Sequence, residues 1–184
     1  MANVKELKDR IRSVGDTRKI TNAMYLIASM KMRKAKAELD GTRPYFETIR
    51  GEIKRIFRTV RDVESQYFYP DSGEPPLHGP YACLVITADK GLAGMYNQNV
   101  IKKAEAMLTQ YPDTKLFVVG EYGRQYFIRH KIPVERSFLY TAQNPTMRRA
   151  REISEILLEL FRSGAAQKIF VLYTDMKNGL SEEA

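Results

Sequence analysis

The residues able to do chemistry in this chain are few, and most stand beside glycine. Asp89-Lys90-Gly91-Leu92-Ala93-Gly94 follows an apolar run, and Gly120-Glu121-Tyr122-Gly123-Arg124 follows a second. A glycine-bearing loop after a strand is where an α/β fold brings backbone amides close to a phosphate, with a lysine such as Lys90 to pair with it. Neither segment has the G-x-G-x-x-G or G-x-x-x-x-G-K-[ST] spacing that makes such a loop a nucleotide cradle, so both read as turns shaping exposed loops. Asp89 and Asp175 follow strand ends, a placement too common to define a carboxylate pair. Cys83 is the single cysteine and reads as a small buried hydrophobe, which leaves no disulfide framework and no four-thiolate metal site. The two histidines, His78 and His130, are too few for a zinc cluster or a histidine relay. No G-x-S-x-G elbow and no H-E-x-x-H pair occurs. No residue set is convincingly catalytic, and no cofactor or metal is implied.

The elements that carry these loops come after residue 80. Tyr81–Thr87 (YACLVIT) is a short apolar run with β-branched residues, hence a buried strand. Asn97 to Gln110 reads as a helix stopped at Tyr111-Pro112-Asp113. Lys115–Val119 is a second strand, turned by Gly120, and Glu121–His130 a second helix. Val134–Tyr140 reads as a third strand. Asn144-Pro145 opens a helix with Pro145 in its first turn, running to Ser163-Gly164. Lys168–Thr174 reads as a last buried strand. Alternating strands and helices imply a Rossmann-like α/β domain over 81–184 with a parallel sheet.

The first 60 residues obey a different period. Alternating steps of three and four pass through Val4, Leu7, Ile11, Val14, Arg18, Thr21, Tyr25, Ala28, Met32, Ala35, Leu39, Thr42, Phe46, Ile49, Ile53, Ile56 and Val60. Fourteen of these seventeen are apolar, so eight heptads run without a register shift. That repeat predicts one long coiled-coil helix over residues 1–62, with a bend rather than an end near Pro44 because the phase survives it. Arg18 and Thr21 are polar seam positions of the kind that fix register. Between Ile20 and Met32 the apolar residues spread to several faces, as a helix with neighbours on several sides requires. Residues 63–80, rich in proline and glycine, read as a linker.

Charge separates the same two parts. Residues 1–60 hold 15 Lys and Arg against 7 Asp and Glu, which accounts for the whole formal charge of +8. A basic rod attracts anionic surfaces. On these observations a basic coiled-coil nucleic-acid-binding protein and a nucleotide-dependent Rossmann-like enzyme stand as alternatives, although neither accounts for eight heptads. No apolar run is long enough to span a bilayer, and the charged N-terminus is no secretory signal.

The opening VKELKDRIRSVGDTRKITNAMYLIASMKMRKA, the Arg43-Pro44-Tyr45 triplet and the later ITADKGLAGMYNQNVIK together resemble the gamma subunit of the F-type ATP synthase, from Met1 to about Thr174. The resemblance implies a non-catalytic rotor of the central stalk, coupling proton flow through a membrane ring to ATP synthesis or hydrolysis. Its implied partners are the alpha and beta subunits of the catalytic ring, the epsilon subunit and the c-subunit ring, with no nucleic acid and no cofactor. Carried onto this chain, Lys19, Ile20, Met24 and Ile27 fall where the shaft passes the lower part of the ring. Arg33, Lys34 and Lys36, with Asp89, Lys90, Gly91, Leu92, Ala93 and Gly94, face the acidic lever segments of beta. Arg43, Pro44 and Tyr45 lie toward the foot of the stalk. The family's long C-terminal helix, the antiparallel partner of the first, has no counterpart before Ala184, so truncation is expected. A family motif starting at the initiator methionine points to a bacterial protein, peripheral on the cytoplasmic side of the plasma membrane.

Overall fold

The computed structural model describes residues 3–60, 67, 79–176 and 182–183. The chain divides into two compact units, Met1–Glu74 and Pro75–Ala184.

The first unit is helix α1, Val4–Thr59, 56 residues long. Helix formers dominate it, the Asn3 side chain accepts from the Lys5 N–H at 3.3 Å, and Glu6 and Arg58 sit at the ends where their charges oppose the helix dipole. At about 1.5 Å per residue it spans roughly 84 Å. It runs unbroken through Pro44, although proline removes a donor and crowds the preceding turn. Five threonines turn their hydroxyls onto the carbonyl four residues back, at 2.8–2.9 Å. Thr21 and Thr42 are among them, so these two seam hydroxyls are satisfied within the helix itself. Periodicity led to an expected span of 1–62; the helix is described from Val4 to Thr59, and residues 1–2 and 61–62 lie outside the described residues. The linker expected at 63–80 falls almost wholly outside the described residues.

The second unit is a three-layer α/β arrangement. Strand β1 (Tyr81–Ile86) leads to α2 (Tyr96–Gln110), β2 (Lys115–Val119), α3 (Glu121–Arg129), β3 (Arg136–Phe138), α4 (Met147–Arg162) and β4 (Lys168–Leu172). The four strands form one parallel sheet in the order β3-β2-β1-β4. Alternation along the central strands sorts the core. Cys83 and Val85 of β1, with Leu116 and Val118 of β2, meet Val100, Ile101, Ala104 and Phe127 of α2 and α3. Ala82, Leu84, Phe117 and Val119 meet Ile153 and Leu157 of α4 on the other face. Burial on both faces is why β1 and β2 read as continuous apolar runs rather than alternating ones. The chain moves outward from β1 to β3 and then returns to the other side of β1, so the order in which the parallel strands are added reverses between β1 and β4. Loops at the carboxyl ends of strands beside such a reversal are the display positions of this architecture.

Three elements of the α/β unit depart from the sequence reading by more than one residue at a boundary. The third strand is Arg136–Phe138 rather than Val134–Tyr140, since it is held only by its pairing to Phe117, Val118 and Val119. Helix α4 begins at Met147, because the Thr146 hydroxyl accepts from the Arg149 N–H at 3.3 Å and fixes the cap there; Pro145 precedes the cap instead of occupying the first turn. The last strand of the sheet ends at Leu172 and is half-exposed rather than buried, because it lies at the sheet edge with only β1 beside it. A short antiparallel pair, β5 (Asp175–Met176) and β6 (Glu182–Glu183), follows and was not expected.

Candidate partner interface

The loop after β1 is tied down at both feet by buried polar side chains. The Thr87 hydroxyl, at the end of β1, donates to the Val119 carbonyl at 2.9 Å and accepts from the Gly123 N–H at 3.0 Å. The Asn97 carboxamide accepts from the Ala88 N–H at 2.9 Å and reaches the Lys90 carbonyl at 3.5 Å, the far end of hydrogen-bond range. The Ala88 carbonyl accepts from the Tyr122 N–H at 3.1 Å. The Asp89 carboxylate accepts from the Glu121 N–H at 3.0 Å. Among the described residues, Thr87 and Asn97 are the buried polar side chains of the core. Between these feet, Lys90, Gly91, Leu92, Ala93, Gly94 and Met95 are all exposed.

The segment expected to face a partner is therefore divided. Asp89 turns its carboxylate inward and holds the start of α3, whereas Lys90 to Gly94 are displayed outward. Glycines 120 and 123 make this possible. A side chain on Gly120, whose φ is +96°, would run into the Thr87 carbonyl oxygen, and one on Gly123 would stand 2.7 Å from the Thr87 hydroxyl. Their spacing serves helix-to-loop packing rather than a phosphate. At the start of α3, Arg124 donates to both oxygens of Glu121 at 2.7 and 2.6 Å, and Gln125 donates to it at 2.9 Å. These bonds, the arginine's first, lower the Glu121 pKa to about 2.

Beside the loop, on the α4 side of the sheet, lies a cavity of about 690 Å³ walled by Leu84, Ile86, Ala93, Tyr96, Val119 and Ile153, with Thr87, Thr141, Thr146 and Ser154 among its other lining residues. None of its lining residues is charged. Cys83 is fully buried, and burial pushes its thiol up to about 12, so it is no nucleophile. Among the described residues no group of three or more histidine, cysteine, aspartate and glutamate side chains could hold a metal.

Helix α1 sorts its expected contact residues by face. Ile20, Met24 and Ile27 stand at i, i+4 and i+7 and share a strip about 60° wide; each is more than half exposed. Lys34, a further seven residues on, continues that strip. Arg33 and Lys36 fall on the opposite side of the helix, so the basic trio does not form one patch. Lys19 pairs with Asp16 at 3.2 Å and Lys34 with Glu38 at 3.9 Å, both in solvent, where such pairs contribute little. Arg43 and Tyr45 are exposed, and Pro44 accepts from the Thr48 hydroxyl at 2.8 Å. No residue of α1 is buried. A strict seven-residue repeat on a straight helix drifts about 20° per heptad. The apolar stripe therefore winds around α1 and can be covered along its length only by something that winds with it.

The sequence reading passed over Thr87 and Asn97 as site residues and took Gly120 and Gly123 only for turn glycines. Thr and Asn at a strand end and a helix start are the usual local hydrogen-bonding residues, but nothing in their spacing says that the Thr87 partner lies at Gly123.

The chain thus joins a long helix with no buried residue to an α/β unit that displays a loop between buried polar feet. The sequence model of the ATP synthase family matches residues 3–184. The ATP synthase gamma chain of Acetivibrio thermocellus is 39% identical over 183 residues, covering 100% of this chain and 61% of that protein. That of Caldanaerobacter subterraneus subsp. tengcongensis is 46% identical over 174 residues, covering 95% and 58%. A sodium ion specific ATP synthase gamma chain of Acetobacterium woodii is 35% identical over 182 residues, covering 99% and 59%. The chain belongs to the ATP synthase gamma-chain family, which bears out the resemblance. It spans about three-fifths of the length of these curated relatives.

Proposed function

We propose that this chain serves in the rotating central stalk of an F-type ATP synthase, coupling ion flow through a membrane ring to ATP synthesis or hydrolysis in an alpha–beta catalytic ring, and that it performs no catalysis itself. The carrying observation is α1: 56 residues of continuous helix with an apolar stripe and no buried residue. A helix of that kind is stabilised by neighbours along its length rather than by propensity alone, as a shaft inside a sleeve is. Family membership supports the alpha, beta and epsilon subunits and the c-subunit ring as those neighbours. The division into a shaft at 1–62, a linker at 63–80 and an α/β domain at 81–184 is part of this reading. So are contacts to the ring through Lys19, Ile20, Met24, Ile27, Arg33, Lys34, Lys36 and the loop 89–94, and a foot at Arg43, Pro44 and Tyr45.

Among the described residues no helix is long and apolar enough to cross a membrane, and this reading places ion passage in other subunits. The coupled ion is proposed to be the proton, and the site of action the cytoplasmic side of a bacterial plasma membrane.

The unreactive thiol of Cys83 makes a direct test practical. Lys102, exposed on α2, is replaced by cysteine and labelled with a fluorophore without labelling the core. The labelled chain is seated in a surface-fixed alpha–beta assembly from a related synthase. Stepwise, one-directional rotation of the emission dipole on adding ATP is the expected result. Firm binding without rotation, or ATP turnover by the chain alone, would overturn the rotor reading.

A further inference from the structure

Leu92 is 96% exposed and has a left-handed backbone, φ +62°. Each property is unfavourable for leucine: its Cβ crowds the carbonyl in that conformation, and a bare aliphatic side chain faces water. Glycines stand at 91 and 94, so the loop is rich in the residue that would hold this conformation without strain, yet a large apolar side chain occupies the tip. The tip is also not left to wander. Thr87 and Asn97, 1% and 2% exposed, hold its two feet, and Asp89 ties it to the first amide of α3. Exposed Met95 adds a second apolar side chain, and exposed Lys90 adds a cation.

We propose that Leu92 is a preorganised apolar anchor, held out by Thr87, Asp89 and Asn97 as positioning residues, and that its partner surface is an apolar depression rimmed by carboxylates that meet Lys90. A strained, over-determined residue on an exposed loop is the arrangement by which a fold sets aside stability for a contact made elsewhere. Presenting the anchor in a fixed backbone removes the ordering cost of binding, and a single buried aliphatic or aromatic side chain commonly dominates an interface. The proposal rests on the reading above that this loop faces the catalytic ring, and it adds which side chain carries the contact.

The test uses the whole chain, the variants Leu92→Ala, Leu92→Gly and Lys90→Gln, and a purified alpha–beta assembly from a related synthase. Binding is measured by titration, folding by thermal melting, and proximity by carbodiimide coupling of Lys90 to carboxylates of the ring. Both Leu92 variants are expected to weaken binding at least about tenfold. The glycine variant should melt no lower than the parent, because it relieves the backbone. Lys90→Gln should weaken binding about two- to threefold at low salt, an effect that fades as salt is raised. Parent-like binding by the Leu92 variants, with Lys90 coupling intact, overturns the anchor and leaves the ring reading standing. A lower melting point for Leu92→Gly shows a side chain that holds the fold and also overturns it. Absence of both binding and coupling in the parent overturns the ring reading and the anchor with it.

Discussion

The carboxylate of Asp89 accepts the first backbone N–H of α3, at Glu121, over a separation of 32 residues and at 3.0 Å. Helix α3 has no side-chain cap of its own, because its N-cap residue is Gly120. The missing cap is supplied from the loop that follows β1, and one hydrogen bond thus serves two elements: it completes a helix end and holds a displayed loop.

Replacing Asp89 with alanine should lower the unfolding free energy of the α/β unit by about 1 kcal/mol, the usual effect of losing a helix cap. Asparagine keeps an acceptor oxygen and should recover most of it. Urea unfolding followed by circular dichroism checks the order parent, Asp89→Asn, Asp89→Ala.

Glycine substitutions should have opposite signs in the two units. Gly120→Ala places a methyl group against the Thr87 carbonyl in a backbone with φ +96°, and should destabilise by more than about 2 kcal/mol, the combined effect of overpacking and left-handed strain. Gly51, inside α1, faces open space, with no neighbour within 4 Å of where a methyl group would stand. Gly51→Ala should add helical stability of about 0.5–1 kcal/mol. Melting of the α/β unit and helical ellipticity of the whole chain are the respective readouts.

Glu121 ties pH to stability. Its pKa falls from 4.5 to about 2 on folding, chiefly through the Arg124 hydrogen bonds. A depressed carboxylate stabilises the fold above its unfolded pKa, and that contribution is lost as pH falls through the folded value. Glu121→Gln should therefore be less stable than the parent at pH 7, and the gap should close between about pH 4.5 and pH 2. The group is partly exposed, so the gap is modest and shrinks with salt. A gap that stays constant down to pH 2 would remove the ion pair from the account.

Hydrogen exchange should separate the two units sharply. Amides of Val85, Phe117 and Val118, buried between two helical layers, should exchange only through global unfolding. Amides of residues 4–20 in the free chain should exchange far faster, since α1 buries no residue and isolated helices are marginal in water. Raising the concentration should slow exchange there if chains cover one another's stripes. Core-like protection of residues 4–20 in a chain that sediments as a monomer would contradict this.

The sequence by itself determined the elements whose period is local. Heptad steps from Val4 to Val60 are a property of consecutive residues, and α1 follows them through Pro44. The apolar runs of β1 and β2 need no partner to be read, and β2 was legible to the residue, Lys115–Val119. Edges were not. Arg136–Phe138 is a strand because β2 pairs with it, and β4 is half-exposed because, among the described residues, no strand flanks its outer side in the sheet. The candidate interface divides in the same way. That Lys90 to Gly94 form a turn was plain from composition, as was the absence of a phosphate fingerprint. That Asp89 points inward, that Gly120 and Gly123 exist to admit Thr87, and that Leu92 is thrust outward in a left-handed backbone were decided by the tertiary structure alone. The first two depend on hydrogen bonds and contacts joining residues some thirty positions apart, and a local period carries no information about which distant amide a side chain will meet.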